Sequence, residues 1–563
     1  MSLDAGGVLR RTIRDQRGRV AAGVAFLCLH QASEAMVPVA IGLTIDRAVA
    51  TSDIGALLIA LAGLALLFTV LAFAWRIGAR FGVVAVEHET HRMRLEIAGR
   101  ALDPRGQRSG MRDGELLSVT ASDTEHAALV VQASSMILAA CTALIVSAIA
   151  LLVVDPVLGG GVLLGVPLVL LGLQRLGPLI TRRGEAQQEA LASATATAVD
   201  LVAGLRVLRG LGAQDHAARR YATASSAALA GTLHAARAKG MQQGVTTAIN
   251  GLLLAVIAGV AGWFAIQGRI TIGELVAVVG LAQFVAEPVQ ALGWCLQLLA
   301  TAKASAARVA RVLGAAPLVG SGSAAAPPVA PDRLVLTGIG HGGLDGLSLR
   351  VAAGEVVGIM VYEPKHAESL VAVLAGTVPR EDYRGEIRVD GVPVEELDLA
   401  AARGVVLVEP HDVTLFEGTL RDNIAAGVPD ERIDAAVRAA AADDIVASQP
   451  DGLDQVLTER GANLSGGQRQ RVALARALAA ASPVLVLHDP ATAVDAVTES
   501  LIAERLVAAR AGESRATVVV TSSPALLGVA DRVAVLDDGR IVAEGAHEEL
   551  AASDPRYREA VLR

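Results

Sequence analysis

Two short stretches carry residue types that could handle a phosphorylated substrate. In "LSGGQRQR", residues 464 to 471, a serine and two glycines open a helical pattern. The first backbone N–H groups of a helix have no partner, and the peptide dipoles there favour negative charge. Ser465, Gly466 and Gly467, with Gln468 beside them, are therefore suited to hold a phosphate. The second stretch, "GIMVYEPKHAESLVAVLAG" (358 to 376), has strand-like and helix-like flanks around what should be a phosphate-binding loop. A working loop reads GxxGxGK[ST]. Its glycines let backbone N–H groups approach the phosphates, its lysine reaches the β and γ groups, and its hydroxyl binds Mg²⁺. With the register fixed by Gly354-Glu355 and by "LAG" (374 to 376), the glycine positions hold Val361, Pro364 and His366. The lysine position holds Ala367, and the hydroxyl positions hold Glu368 and Ser369. Side chains fill the space phosphate needs, and Glu368 repels it. Charge-assisted hydrogen bonds contribute about 1.5–3 kcal/mol each, so losing several weakens nucleotide binding by orders of magnitude. Lys365 offers a displaced charge, but without the glycines.

The elements that must position these residues lie after residue 332. Short β-rich runs alternate with Ala-rich helical runs: "GEVVGIMV" (354 to 361) precedes the helical "ESLVAVLAG". "PVLVL" (483 to 487) and "ATVVVTS" (516 to 522) read as buried parallel strands. "VAVLDDGRIVAEG" (533 to 545) predicts a hairpin turned at Asp538-Gly539. The whole is an α/β nucleotide-binding pattern.

The first 300 positions are different. Of the 563 residues, 53% are hydrophobic and only 19% charged, and the mean hydropathy is +0.50. Long uncharged runs dominate this half, which predicts a membrane domain ahead of a soluble one. Spans are expected at 20 to 45, 54 to 75, 135 to 154, 157 to 173, 245 to 266 and 275 to 300, six in all. Arginines cluster before the first span (Arg10, Arg11, Arg14, Arg17, Arg19), after the second (Arg76, Arg80, Arg92, Arg94, Arg100) and between the fourth and fifth. That last group includes Arg182, Arg183, Arg206, Arg209, Arg219 and Arg220. The asymmetry places both termini in the cytosol, with membrane helices continuing into it. No apolar core with a small-residue cleavage site opens the chain, so no removable signal peptide is expected. A net charge of −8 gives no reason to expect nucleic acid. Cys28, Cys141 and Cys295 sit in apolar runs without metal spacing, so no metal site is expected. "GSGSAAAPPVAPD" (320 to 332) reads as a linker. The expected domains are therefore 1–313, linker 314–332, and 333–563.

"TERGANLSGGQRQRVALARAL" (458 to 478) resembles the signature region of ATP-binding cassette (ABC) proteins, and "VTLFEGTLRDNI" (413 to 424) is similar to the stretch after the Q-loop in ABC exporters. "GELLSVTASDTE" (114 to 125) looks like the first coupling-helix region of the same fold. The chain thus resembles a half-transporter of the exporter type (type IV fold) along essentially its whole length. The resemblance implies further site positions. "VLVLHDPATAVD" (484 to 495) matches the strand ending in a metal-site Asp and a catalytic Glu, but holds His488 and Asp489 there. Neutral imidazole serves Mg²⁺ poorly, and the shorter carboxylate holds an attacking water badly. The H-loop histidine is replaced by Ser522 and the Q-loop glutamine by His411, and His341 is the nearest candidate to stack on adenine. In this family two such domains pair head to tail, each site joining one chain's phosphate loop to the other's signature. A homodimer would then have no working site. A heterodimer with an intact partner would have one, binding ATP and Mg²⁺ and completed by Ser465, Gly466, Gly467 and Gln468, with Asp495 in the D-loop position.

Within the membrane, Glu34 and Glu287 (next to Pro288) are expensive, and such groups mark either a substrate pathway or helix-packing polar contacts. His30, Gln31, Asn250 and Gln283 could join them. The expected cargo is a lipophilic or amphipathic small molecule or peptide. Import of a metal chelate and a non-transporting regulatory role remain as alternatives.

Overall fold

The computed structural model describes residues 4–174, 177–425 and 428–561, without the side chains of residues 166, 168–186, 242 and 246. Helices α1 (Ala5–Asp15), α2 (Arg17–Thr44), α3 (Ile54–Ala101), α4 (Asp113–Ser118), α5 (Thr124–Ala128), α6 (Val130–Val154), α7 (Pro156–Gln174), α8 (Gly177–Ala203), α9 (Leu205–Gly210), α10 (Gln214–Ile266) and α11 (Ile272–Leu313) fill the first half. Among the described residues, five helical stretches are long and apolar enough to cross a bilayer: Arg17–Val49, Ile54–Ala101, Asp113–Val154, Gln214–Ile266 and Ile272–Leu313. The remaining expected span falls on α7, 19 residues long. Helix α3 runs for 48 residues and α10 for 53, about twice what a bilayer needs. The apolar spans thus continue into the basic segments without a break. The side chains of Arg182 and Arg183 lie outside the described residues.

The chain divides into two compact units, Met1–Ala98 with Met111–Gly314, and Gly99–Gly110 with Ala315–Arg563. In the first unit, buried Asp123 accepts from Ser305 Oγ at 2.8 Å and Arg308 Nε at 2.6 Å, tying the segment that resembles a coupling helix to α11. Helix α11 starts at a capping box: Thr271 Oγ1 accepts the Glu274 N–H at 3.0 Å, and Glu274 Oε2 accepts the Thr271 N–H at 2.8 Å.

In the second unit, β1 (Asp332–His341), β2 (Leu344–Ala352), β4 (Arg384–Val389) and β5 (Val392–Pro393) form an antiparallel sheet. Strands β3 (Val356–Val361), β6 (Val406–Glu409), β9 (Val484–His488), β10 (Ala516–Val520), β11 (Arg532–Asp537) and β12 (Arg540–Gly545) form the main sheet, in the order β12-β11-β3-β10-β9-β6. All its pairings are parallel except β11–β12, the hairpin expected at Asp538-Gly539. The aliphatic runs of β3, β9, β10 and β11 are buried on both faces, as parallel strands covered by helices must be, while the edge strands β6 and β12 are partly exposed. Helices α12 (Pro364–Leu374), α13 (Leu399–Val405), α14 (Leu420–Ala425), α15 (Asp430–Ala439), α16 (Asp443–Ser448), α17 (Gly466–Ala479), α18 (Ala496–Arg510) and α19 (Pro524–Gly528) follow in order; β7 (Gly418–Thr419) and β8 (Val456–Leu457) pair beside α14. Leu420, Ile433, Ile445 and Leu474 pack α14 to α17 into one core.

The Gly/Ser/Ala/Pro stretch after Gly314 builds no core of its own, yet it is held by backbone bonds. Leu318 and Val319 N–H donate to the Arg105 carbonyl, and Gly322 N–H donates to that of Leu397. Arg108, from the segment Gly99–Gly110, pairs with Glu381.

Candidate functional site

Strands β3, β6, β9 and β10 are parallel, so their carboxyl ends share one edge, where ligands bind in open α/β sheets. Val361, Glu409, His488 and Val520 end these strands. The predicted residues of the chain's own nucleotide site follow these strand ends, except His341, which ends β1 of the antiparallel sheet.

The connection from β3 to α12 is only Tyr362 and Glu363. Helix α12 begins at Pro364, whose fixed φ suits the first helical position. No residue from Val361 to Ser369 has a positive φ, so the chain does not wind into a cradle of converging N–H groups. His366 and Ala367 are buried. A Cβ on Gly343, in the turn between β1 and β2, would lie 2.9 Å from the His366 ring, so the imidazole abuts that backbone. Ser369 Oγ is engaged by backbone carbonyls, those of Lys365 (2.7 Å) and Gly342 (2.9 Å). Lys365, the one cation offered here by the sequence, pairs with Glu363 at 2.6 Å. That partner raises the lysine's pKa and lowers that of the carboxyl. The Arg556 guanidinium stacks on Tyr362 at 3.8 Å. Glu368 stays exposed.

The neighbouring strand ends carry imidazoles. His411 and His488 have ring centroids 5.6 Å apart, and Asp489 Oδ2 lies 4.0 and 3.9 Å from their nitrogens. Burial lowers the pKa of His488, outweighing the pull of Asp489, so its ring is held neutral. Asp489 has φ +49°, and its Oδ1 has no hydrogen-bond partner among the described residues. Among the described residues no His, Cys, Asp and Glu group is arranged to hold a metal ion. Ser522 is exposed. His341 Nδ1 donates to the Asp382 carbonyl at 2.8 Å.

The signature end is built differently. Ser465 caps α17: its Oγ accepts the Gln468 N–H at 3.3 Å, and Gln468 Oε1 accepts the Ser465 N–H at 2.9 Å. The N–H groups of Gly466 and Gly467, first in a 14-residue helix, find no acceptor among the described residues, and Ser465 and Gly466 are exposed. Two free donors and a hydroxyl at a positive helix end fit a phosphate. Asp495 caps α18, accepting from Val497 and Thr498 N–H and from Thr498 Oγ1.

Sequence reasoning missed two supports. Gln470 fastens α17 to the turn after β9, donating to Thr492 Oγ1 and accepting the Ala493 N–H, both at 2.8 Å. Glu409, two residues before His411, pairs with Arg476 at 2.8 Å. The signal was present in both cases, as a glutamine at the fifth position of a helix and an acid ending a half-buried strand, but their partners lie 22 and 67 residues away.

The membrane acids separate. Glu34 accepts from Gln31 Nε2 at 3.3 Å and faces His30 Nε2 at 3.6 Å. Glu287 lines a cleft between α10 and α11 with Asn250 and Gln283.

Comparison with known proteins agrees with this architecture. Residues 20–289 match the family described as the ABC transporter transmembrane region, and residues 344–492 match the family described as ABC transporter. The chain is 36% identical over 403 residues to a multidrug efflux ATP-binding/permease protein of Mycobacterium tuberculosis, covering 70% of this chain and 33% of that protein. It thus spans a third of that relative's length. It is 33% identical over 458 residues to the mycobactin import ATP-binding/permease protein IrtB of the same organism, covering 78% of this chain and 77% of that one. The structure of a bacterial Atm1-family ABC exporter with ATP bound is similar, with a TM-score of 0.76 and 24% identity over 97% of this chain and 98% of that chain.

Proposed function

The chain belongs to the ABC transporters, as a permease and a cassette joined in one polypeptide with the exporter-type fold, and from that premise we propose that it is the non-hydrolysing half of a heterodimeric transporter. One observation carries the reading. The chain presents a helix start at Ser465-Gly466-Gly467 in which Ser465 and Gly466 are exposed, while its own β3 turns directly into α12 through two residues. A second half-transporter with a sound phosphate loop, an Asp-Glu pair and an H-loop histidine would hold ATP and Mg²⁺. Ser465 and the N–H groups of Gly466 and Gly467 would receive the γ-phosphate from across the interface. Asp495 would set the turn linking the two sites. ATP supplies the free energy for alternating access, and this chain's residues supply the clamp.

The cargo proposed is a lipophilic or amphipathic small molecule or peptide moved across the cell membrane, with both termini cytosolic, as the arginine distribution supports. The likeness to IrtB, named for mycobactin import, favours import of a metal chelate as a second reading. Cargo accumulation in inside-out vesicles separates the two directions.

The test is ATPase activity of the chain purified with its partner. Ser465→Ala should lower turnover of the pair by about a hundredfold or more, while the chain alone turns over nothing measurable. Undiminished turnover by that variant pair would make this chain a bystander, and brisk turnover by the chain alone would contradict the reading outright.

A further inference from the structure

We infer that the cleft between α10 and α11 recognises a hydrophobic cation, with Glu287 as its counter-charge; this names the cargo class for the transporter reading and rests on it. The cleft is a cavity of about 460 Å³, a size that suits a small organic ligand. Its polar wall is Asn250 from α10 and Gln283, Glu287 and Gln290 from α11, and Leu254 and Ile257 add apolar surface. No Lys, Arg or His lines it. Among the described residues Glu287 has neither an ion-pair nor a hydrogen-bond partner, whereas Glu34 has both Gln31 and His30.

Depth makes that isolation consequential. Glu287 lies fifteen residues into α11, which begins at Ile272, or about 22 Å along a helix rising 1.5 Å per residue. That is well inside a hydrocarbon core about 30 Å thick. A carboxylate there is costly against lipid and is retained where a pathway or a partner charge meets it. Gln283, Glu287, Gln290, Trp294 and Gln297 follow one another at spacings of four and three, so they form one stripe, and all five are exposed. An anionic cargo would meet repulsion from Glu287. A neutral cargo would leave the carboxylate uncompensated. A cation with an apolar body satisfies both walls.

The probe is tetraphenylphosphonium, with tetraphenylborate as an anion of the same shape. Equilibrium dialysis uses the full chain in lipid nanodiscs without nucleotide, subtracting uptake by empty nanodiscs. Independence from ATP and partner keeps this outcome separate from the ATPase test. Saturable phosphonium binding is expected, with Glu287→Gln about tenfold weaker and Glu287→Asp close to the parent. Borate binding is expected to be no weaker in Glu287→Gln than in the parent. Phosphonium binding unchanged in Glu287→Gln, or equal saturable affinity for both ions in the parent protein, overturns the inference. The second comparison stands even if the variants misfold.

Discussion

A Cβ placed on Gly467 would lie 2.4 Å from the carbonyl oxygen of Ala493. The start of α17 and the turn after β9 are therefore packed backbone to backbone, and Gln470 bonds the same turn through Thr492 and Ala493. That turn has Asp489 at one end and Asp495 six residues on at the other, so the helix start that carries Ser465 rests on the connection between these two carboxylates. Any shift of α17 on meeting a phosphate must move this turn as well.

Substitution at the two signature glycines should consequently differ. At Gly466 an added methyl meets only Ala493 Cβ, at an ordinary 3.7 Å. At Gly467 it must displace a carbonyl, an overpacking that typically costs about 1–3 kcal/mol. Gly467→Ala is expected to lower the calorimetric midpoint of the full chain by several degrees and to remove most ATPase of the pair. Gly466→Ala should leave the midpoint where it was. Equal midpoints for both variants would show that the close approach has no energetic weight.

Returning the missing lysine should fail. Position 367 is buried one turn into α12, within the core that includes Leu370 and Val371. Ala367→Lys therefore buries an ammonium instead of delivering it to a phosphate. Isothermal titration with Mg-ATP should detect no binding tighter than about 1 mM, and the variant should melt below the parent. Replacing residues 361–369 together by a glycine-rich loop is the change expected to restore affinity, since it also removes Pro364 from the helix start. Binding gained from Ala367→Lys alone would mean that β3 and α12 can re-form a loop.

Much of this was legible beforehand because it depends on local chemistry. The hairpin at Asp538-Gly539, the buried strands at 483 to 487 and 516 to 522, and the cap at Ser465 each follow from a few adjacent residues. The substitutions from Val361 to Ser369 were equally visible. Their consequence was not: a loop that loses its glycines could have stayed open with poor contacts, and only the fold shows Pro364 starting a helix and His366 set against Gly343. Pairings across long separations were also hidden, such as Asp123 with Arg308 and Glu409 with Arg476, because period and propensity say nothing about which helix face meets which strand end. Composition marked 320 to 332 as coreless but could not reveal that backbone bonds hold the segment from Leu318 to Ala324.

His488 gives the second unit a pH dependence of known sign. Burial depresses its folded pKa below the ordinary histidine value, about 6.5. Above that value both states are neutral and nothing is lost. As pH falls through it, the unfolded chain takes up a proton that the folded ring resists, so stability declines on the acid side. His411 and Asp489 face the ring directly, and Glu368 and Asp412 act on it from farther away. The melting temperature of His488→Asn should fall less than that of the parent between pH 6.5 and 5. Parallel curves would assign the acid sensitivity elsewhere.

The Glu409–Arg476 pair offers the sharpest separation of a bond from its burial. Burial pushes the Glu409 carboxyl up, and Arg476 opposes this while also donating to the Thr414 carbonyl at 2.9 Å. Removing one partner strands the other in a low-dielectric pocket, at a cost of about 3–5 kcal/mol. Arg476→Met should accordingly lower the midpoint of the cassette transition by about 10 °C in calorimetry of the full chain. Adding Glu409→Leu removes the stranded carboxylate, and the double variant should regain most of that loss, because two apolar side chains of similar volume need no partner. If the two losses simply add, the pair contributes no coupling.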